Sequence, residues 1–148
     1  MVNIKEYREY WEQYTERIPA ISDVVPLTID QDISKTVQNI KKDKMVLFML
    51  VPEAKGSGIN VDAYEEKNEA VIFLGKKYDP QRGGSYACIE EVQPVISDIR
   101  DMMMEDMASG CPVLGTLDID SIRIVPVSTW YNVLAGWMID FMFTAIEE

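Results

Sequence analysis

A run of seven apolar residues, Met45 to Val51, constrains the fold of this chain more than any other feature. Its β-branched and aromatic content, and its end at Pro52, are typical of a strand that is covered on both faces. A second apolar run, Ala70 to Leu74, ends at Gly75. We expect the two runs to be antiparallel neighbours in one sheet, joined by a long loop from Glu53 to Lys67.

The N-terminal segment has the pattern of an amphipathic helix, because apolar residues recur at steps of three and four from Ile4 to Ile18. Asn3 is its expected cap, and Pro19 ends it. The apolar stripe is aromatic and includes Trp11, so it either packs in the core or faces a neighbouring subunit. We favour the core, because an amphipathic helix usually buries its stripe within its own domain.

A second helix is predicted from the apolar stripe that runs from Val92 to Met107, and Ser109 and Gly110 mark its end. Methionines are concentrated in this helix. Their flexible side chains suit adaptable binding surfaces, but on the stripe they are more simply part of the core. Met104 points away from the stripe and is therefore a candidate for contact with another subunit. The cluster consists of Met102, Met103, Met104 and Met107.

Weaker signals complete the predicted fold. Residues 20–44 indicate a loop and a short helix, and residues 79–84 a turn. The segments Ile119 to Val127 and Gly136 to Ala145 indicate a last pair of strands. The resulting order is helix, strand, strand, helix, strand, strand. It predicts a single α+β domain over residues 1–148, in which an antiparallel or mixed sheet of about four strands is packed by two main helices. In the final strand, the residues predicted to share one face are Trp137, Ile139, Phe141 and Phe143.

The charge of the chain limits its partners. It carries 25 acidic and 14 basic residues, a formal net charge of −11. Nucleic-acid binding strengthens with the number of cationic contacts that displace counterions, and the basic residues here are scattered. We therefore expect no specific binding to DNA or RNA and no docking on anionic membranes.

Histidine is absent from the sequence. Its absence removes the commonest general base, the commonest transition-metal ligand and every nucleophile that histidine activates. The segment Gly56 to Gly58 lacks the spacing of a phosphate-binding loop. Asp118 and Asp120 lack the glycine and the distal glutamate of a calcium loop. We predict no catalytic residue, no cofactor and no metal site, and an enzyme that uses carboxylates is the least favoured of the functional classes.

The cysteine content and the N-terminus predict the compartment. Cys88 and Cys111 are too few for a disulfide scaffold and lack partners for a zinc site, so we expect free thiols in a reducing environment. Residues Met1 to Trp11 are polar and charged, and no apolar run reaches ~18 residues, so neither a signal peptide nor a membrane span is expected. These expectations place the protein in the cytoplasm.

The segment from Asn132 to Phe143 resembles the closing strand of small structural proteins encoded by prophages of gut bacteria, in which a Gly-Trp or similar pair precedes alternating apolar residues. Gly136 and Trp137 are that pair here. The predicted order of elements is similar to that of tail-completion and tail-terminator proteins of long-tailed phages, small α+β subunits that form a ring at the end of the tail tube. The resemblance implies a non-enzymatic, virion-associated subunit in a homo-oligomeric ring of about six copies. The acidity of the chain would then keep DNA from adhering to the channel.

In such a ring, we expect subunit contacts from the loops 53–67 and 79–86 and from Trp130 and Tyr131, because Trp and Tyr are enriched at the centres of interfaces. The alternative is that the loop with Trp130 and Tyr131 folds back and shields the edge of the sheet. The interface candidates are therefore Trp130, Tyr131, Met104 and Trp11.

A second functional class is open. A cytoplasmic adaptor or chaperone-like module would bind a peptide or a partner helix through the methionine-rich and aromatic surfaces. Self-association discriminates the two classes, because a ring-forming subunit assembles alone and an adaptor stays small until its partner is added.

Overall fold

The computed structural model describes residues 1–28 and 33–144, with the backbone alone at Ile33. Ala145, the end of the predicted last strand, lies outside the described residues. The elements in chain order are α1 (Ile4–Glu12), α2 (Tyr14–Arg17), β1 (Asp23–Leu27), α3 (Ile33–Gln38), β2 (Val46–Leu50), β3 (Glu53–Ser57), β4 (Glu65–Lys77), α4 (Gly84–Ala108), β5 (Leu117–Trp130) and β6 (Leu134–Thr144).

Six strands form one mixed sheet in the order β1-β2-β4-β6-β5, and β3 pairs with the first part of β4. β2 and β4 are antiparallel neighbours, as their apolar runs predict, and β1 joins β2 in parallel. The α+β class is therefore confirmed. The sheet is larger than predicted, and the order of elements along the chain differs from the predicted one.

The additional strands β1 and β3 carry weak strand signals in sequence, because β1 is short and interrupted by a proline and β3 is polar. β1 contains Pro26, which is exposed at the edge of the sheet, where its missing N–H costs no ladder hydrogen bond. All five residues of β3 are exposed. Their polar sequence therefore resembles a loop, although their backbone pairs with β4. Residues 53–67 consequently form a hairpin and not the long loop that we predicted.

The helices begin and end near their predicted limits, with two differences. Gln13 separates α1 from α2, so the predicted N-terminal helix is interrupted. α4 begins at Gly84, well before the apolar stripe from which it was predicted, and Cys88 is its first buried residue. The predicted cap is confirmed, since the Asn3 side chain accepts a hydrogen bond from the backbone N–H of Glu6 at 3.2 Å. No helix in residues 1–28 and 33–144 combines the length and the apolar character needed to cross a membrane.

Both faces of the sheet carry buried side chains, as the coverage predicted for β2 requires. Helices α1, α2 and α4 pack on one face and enclose the main core. The other face carries a smaller cluster that includes Phe48, Phe73 and Val37 of α3. In β6, the residues predicted to share a face all pack in the main core, which confirms the alternation: they are Trp137, Ile139, Phe141 and Phe143.

The aromatic stripe of α1 and α2 lies inside this core. Tyr7, Trp11 and Tyr14 are each 0% exposed. Tyr7 stacks on Phe143, with ring centroids 5.8 Å apart and ring planes 4° from parallel. The interpretation of the stripe as core is therefore confirmed. Trp11, one of the interface candidates, is enclosed by its own domain and has no surface to offer a partner subunit.

Two facing glycines, Gly75 in β4 and Gly136 in β6, allow the central strands to approach closely. A Cβ atom on Gly136 would lie 2.0 Å from the carbonyl oxygen of Leu74. A Cβ atom on Gly75 would lie 2.6 Å from the ring of Phe73, which therefore lies across Gly75 on the second face of the sheet. Gly75 therefore leaves the space that this ring occupies.

Candidate protein-interaction surfaces

The hairpin of β3 and β4 ends in a tip, residues 58–64, that holds two aliphatic side chains in solvent. Ile59 is 96% exposed and Val61 is 92% exposed. This segment lies in the predicted contact loop 53–67, but neither residue was among the predicted interface candidates. An isolated Ile and an isolated Val among polar neighbours carry no periodic signal, so only the structure identifies them.

The tip is a hydrogen-bonded turn. The side chain of Asn60 accepts hydrogen bonds from the backbone N–H groups of Asp62 and Ala63, at 3.0 and 3.1 Å, and Val61–Ala63 form a 3₁₀ turn. At Gly58, with φ 134°, a Cβ atom would lie 2.2 Å from the carbonyl oxygen of Ala63, so only glycine fits. The turn thus directs Ile59 and Val61 away from the rest of the chain.

Exposure of these two side chains forgoes stabilisation of the fold. Full burial of an aliphatic side chain of this size stabilises a protein by about 1.5–3 kcal/mol, so the tip withholds roughly 3–6 kcal/mol. Single exposed apolar residues are ordinary on protein surfaces. Two exposed aliphatic side chains on one ordered turn are less ordinary. Such an apolar group can fill the core of a protein interface.

A groove lies between α4 and the outer strands of the sheet. α4 contacts β6 more extensively than β5, and the groove is lined by side chains from all three elements. The groove has a volume of about 450 Å³, a size within the roughly 300–1,000 Å³ range of pockets that hold small ligands. Apolar side chains form its floor and polar side chains of α4 form its rim. The lining residues are Gln93, Pro94, Ile96, Ser97, Arg100, Ile124 and Trp137.

Hydrogen bonds hold both sides of this groove. The indole N–H of Trp137 donates to the backbone carbonyl of Ile89 at 2.9 Å, in the turn of α4 before Pro94. On the rim, the guanidinium of Arg100 donates to the Ser97 hydroxyl at 3.0 Å, and the Arg100 side chain is 40% exposed. Arg100 also pairs with the carboxylate of the adjacent Asp101 at 3.2 Å, so the rim carries charges of both signs beside an aromatic floor.

Met104 lies on α4 in line with this rim. Gln93, Ser97, Arg100 and Met104 follow one another at steps of four, three and four residues, which places them on one side of a helix. Met104 is half-buried, whereas Met103 is 0% exposed in the main core. Met102 and Met107 pack against that core as well. The core assignment of these three methionines is thus confirmed, and Met104 lies beside the groove.

Trp130 and Tyr131 lie together where β5 turns into β6. Their rings meet edge to face, with centroids 4.9 Å apart. Trp130 is the last residue of β5 and not a loop residue as predicted. It stacks on Phe73 at 4.3 Å and so covers the smaller cluster on the second face of the sheet. The structure therefore brings these two interface candidates together but places Trp11 on the opposite face.

Tyr131 is exposed and strained. It is 42% exposed, and its φ of 50° is in the left-handed region, as is the φ of 65° at Asn132. Hairpin turns with two such residues match the twist of the strands but favour Asn and Gly. A bulky residue held in this conformation costs about 1–3 kcal/mol. Because strain of this kind is concentrated at functional sites, Tyr131 stays a candidate for contact with another subunit.

A polar network ties α1 and α2 to the end of α4. The guanidinium of Arg17 donates to both oxygens of Asp106, at 2.6 and 3.0 Å, and the hydroxyl of Tyr10 donates to the same carboxylate at 2.6 Å. Burial raises the pKa of Asp106, but the hydrogen bonds from Arg17 and Tyr10 outweigh it and lower that pKa overall. Burial also raises the pKa of Tyr10 and of Tyr14, whose hydroxyl groups lie 2.7 Å apart. Both carboxylate oxygens are bound, so this network serves the fold.

The second predicted contact segment, residues 79–86, is a turn followed by the start of α4. The Asp79 side chain accepts a hydrogen bond from the backbone N–H of Gln81 at 2.9 Å, and Tyr86 is 71% exposed. A cleft of about 240 Å³ beside the turn is lined by charges of both signs. These charges come from Lys42, Asp43, Lys77, Asp79 and Arg82.

Thiols and carboxylates are further reactive groups in this chain. Cys88 and Cys111 are both free, and burial raises the pKa of the Cys88 thiol. A carboxylate oxygen of Asp118 accepts a hydrogen bond from the backbone N–H of Asp120 at 3.1 Å. Across residues 1–28 and 33–144, no three side chains of the metal-binding types lie close enough together to hold an ion.

No protein-family model matches the sequence, and no curated protein matches it.

Proposed function

We propose that this chain is a non-enzymatic structural subunit that assembles with copies of itself, in its most specific form a tail-completion or tail-terminator-like protein of a prophage. The hairpin tip carries this proposal. Ile59 and Val61 are held almost fully in solvent by a hydrogen-bonded turn, so neither side chain contributes to the packing of the single chain. A partner surface that buries them gives the turn a function.

The edges of the sheet support assembly through side-chain surfaces. β1 carries Pro26, and β5 carries Pro126 together with two interruptions of its register with β6. Proline and irregular register both oppose strand-to-strand pairing between molecules, which otherwise leads to open-ended aggregates. Closed self-assembly then depends on the tip, the groove and the exposed ring of Tyr131.

The charge and the thiols fit the same proposal. With a net charge of −11, a ring of this protein repels DNA that passes through its channel. The free Cys88 and Cys111 suit a reducing compartment, so we place the protein in the cytoplasm before it is incorporated into a virion.

Particle mass in solution tests self-assembly. Light scattering over a series of protein concentrations, with negative-stain imaging, should detect a ring of about six subunits. A chain that remains monomeric from micromolar to millimolar concentration contradicts the proposal. If it becomes larger only when a second protein is added, the adaptor function takes its place.

A separate measurement tests the phage assignment. Mass spectrometry of particles purified after prophage induction should detect the chain at a ratio to the major tail protein that fits one ring per particle. Its absence from particles that contain their other tail proteins contradicts the phage assignment but leaves self-assembly intact.

A further inference from the structure

We infer that the hairpin tip of one subunit docks in the groove beside α4 of a second copy of this chain. The inference rests on the proposed self-assembly and names the surfaces that carry it. The donor surface is the tip, with Ile59 and Val61 fully in solvent. The acceptor surface is the groove with Ile124 and Trp137 in its floor.

A tip that docks in the groove has to belong to another copy of the chain. The tip precedes Glu65 at the start of β4, whereas Trp137 of the groove pairs with Leu74, nine residues farther along that strand. A strand advances about 3.3 Å per residue, so tip and groove of one chain lie roughly 30 Å apart along the sheet. The turn that fixes the tip spans only residues 58–64, so it is too short to reach the groove of its own chain.

The two surfaces match in polarity and in charge. The tip offers aliphatic side chains next to the exposed carboxylate of Asp62. The groove offers an apolar floor next to the guanidinium of Arg100, which contacts Asp101 and Ser97 through Nε and Nη2. The Arg100 side chain is 40% exposed, and within the described part of the chain its Nη1 is available for a second carboxylate. With Ile59 and Val61 in the groove, Asp62 faces the rim, where a salt bridge to Arg100 fixes the orientation of the contact.

This pairing determines the type of assembly. Donor and acceptor are different surfaces of the same chain, so each subunit contacts two neighbours head to tail. Such a contact produces a ring when the rotation between neighbours closes, which is the architecture of the proposed function. Met104, in line with the groove rim, lies where a docked subunit adds further contacts.

Variants of each surface test the docking. Ile59→Asp/Val61→Asp should abolish the assembled species without loss of the fold, because both side chains are solvated in the single chain. Ser97→Phe, which fills the groove, should do the same. The matched control is Ile4→Asp/Ile119→Asp, which adds the same charge at two other exposed apolar positions, outside every predicted contact segment, and should leave the assembled mass unchanged. Circular dichroism and thermal melting establish that each variant is folded.

Mixing the two disrupted variants separates head-to-tail docking from other modes of assembly. The tip variant retains an intact groove, and the groove variant retains an intact tip. A mixture can form one tip-to-groove contact per pair, so native mass spectrometry should detect a heterodimer and nothing larger. Folded tip and groove variants that assemble as wild type overturn the inference while self-assembly stands. A wild-type monomer overturns both.

A charge exchange tests the orientation. Asp62→Lys and Arg100→Glu should each weaken assembly, and the double variant should recover it, because the exchanged pair restores opposite charges across the contact. Weakening by both single changes without recovery in the double variant shows that the two residues do not meet and overturns the proposed pairing. Assembly is followed by light scattering at low ionic strength, where such a pair is least screened.

Discussion

Arg17 and Asp106 lie 89 positions apart in sequence and are joined by a two-pronged ion pair, with N–O distances of 2.6 and 3.0 Å. The pair connects α2 to the last turn of α4, and Arg17 also lies over the ring of Tyr14 at 5.1 Å from its centroid. The N-terminal helices cover much of the main core. The ion pair between Arg17 and Asp106 therefore holds the N-terminal helices against the rest of the fold.

Arg17→Met should destabilise the protein by about 2–3 kcal/mol, because removal of one partner leaves a partly buried carboxylate without its compensating charge. The control is Arg8→Met. Arg8 pairs with Glu12 at 3.0 Å on an exposed face of α1, and a pair of this kind contributes only about 0.3–0.5 kcal/mol. Urea denaturation of both variants checks the difference, and equal losses contradict the structural role of Arg17.

The same carboxylate predicts an acid-sensitive contribution to stability. The pKa of Asp106 is lower in the folded chain than in the unfolded one, so the unfolded state takes up the proton first as the pH falls. The contribution is present above the usual Asp value of 3.8 and is lost as the pH falls below it. Asp106→Asn and Arg17→Met should therefore both show a shallower loss of stability in acid than wild type. The midpoint of urea denaturation, measured over a pH series, reports this loss of stability. If midpoint and pH are related by parallel curves in wild type and the two variants, the prediction is wrong.

Gly136→Ala should destabilise the fold by about 3 kcal/mol, because the added methyl group meets the backbone of Leu74 and forces the central strands apart. Gly56→Ala is the matched control in β3, where a Cβ atom meets only the mobile end of the Tyr64 side chain. We expect it to cost less than about 1 kcal/mol. Thermal melting compares the two variants, and similar losses would show that the close approach of β4 and β6 is not required.

Tyr131→Asn should keep or raise the stability of the chain while it weakens self-assembly. Asn tolerates the left-handed backbone that Tyr131 occupies, so relief of strain offsets the lost edge contact with Trp130, worth about 0.5–1.5 kcal/mol. Ile119→Asn, at an apolar residue that is 47% exposed and outside the predicted contact segments, is the control and should leave assembly unchanged. Melting temperature and particle mass are measured on the same samples. Loss of stability with unchanged assembly would assign Tyr131 a structural role instead.

The buried elements could be predicted because burial leaves a pattern in sequence. Continuous apolar runs marked β2 and the centre of β4, and the three-and-four spacing marked α4 and the aromatic stripe that includes Trp11. Those patterns record which side chains leave water, the dominant favourable term in folding. The class of the fold and most of its core residues follow from them.

The strands β1 and β3 escaped prediction for different reasons: Pro26 interrupts the short apolar segment of β1, although Val24 and Leu27 are buried, and β3 buries no side chain. Pro26 is acceptable in β1 only because β1 is an edge strand, and the exposed residues of β3 become a strand only because β4 extends beside them. Edge position and available partners are properties of the whole sheet. No local window of sequence contains them.

The sequence by itself determined the class of the fold, the identity of its core and its acidic surface, since these depend on composition and periodicity along the chain. Only the tertiary structure decided that Ile59 and Val61 project into solvent, that Trp130 covers the second face of the sheet and that Arg17 meets Asp106. The reason is physical: burial of a periodic stripe is encoded locally, whereas exposure of an isolated aliphatic residue and pairing of distant charges depend on which elements become neighbours.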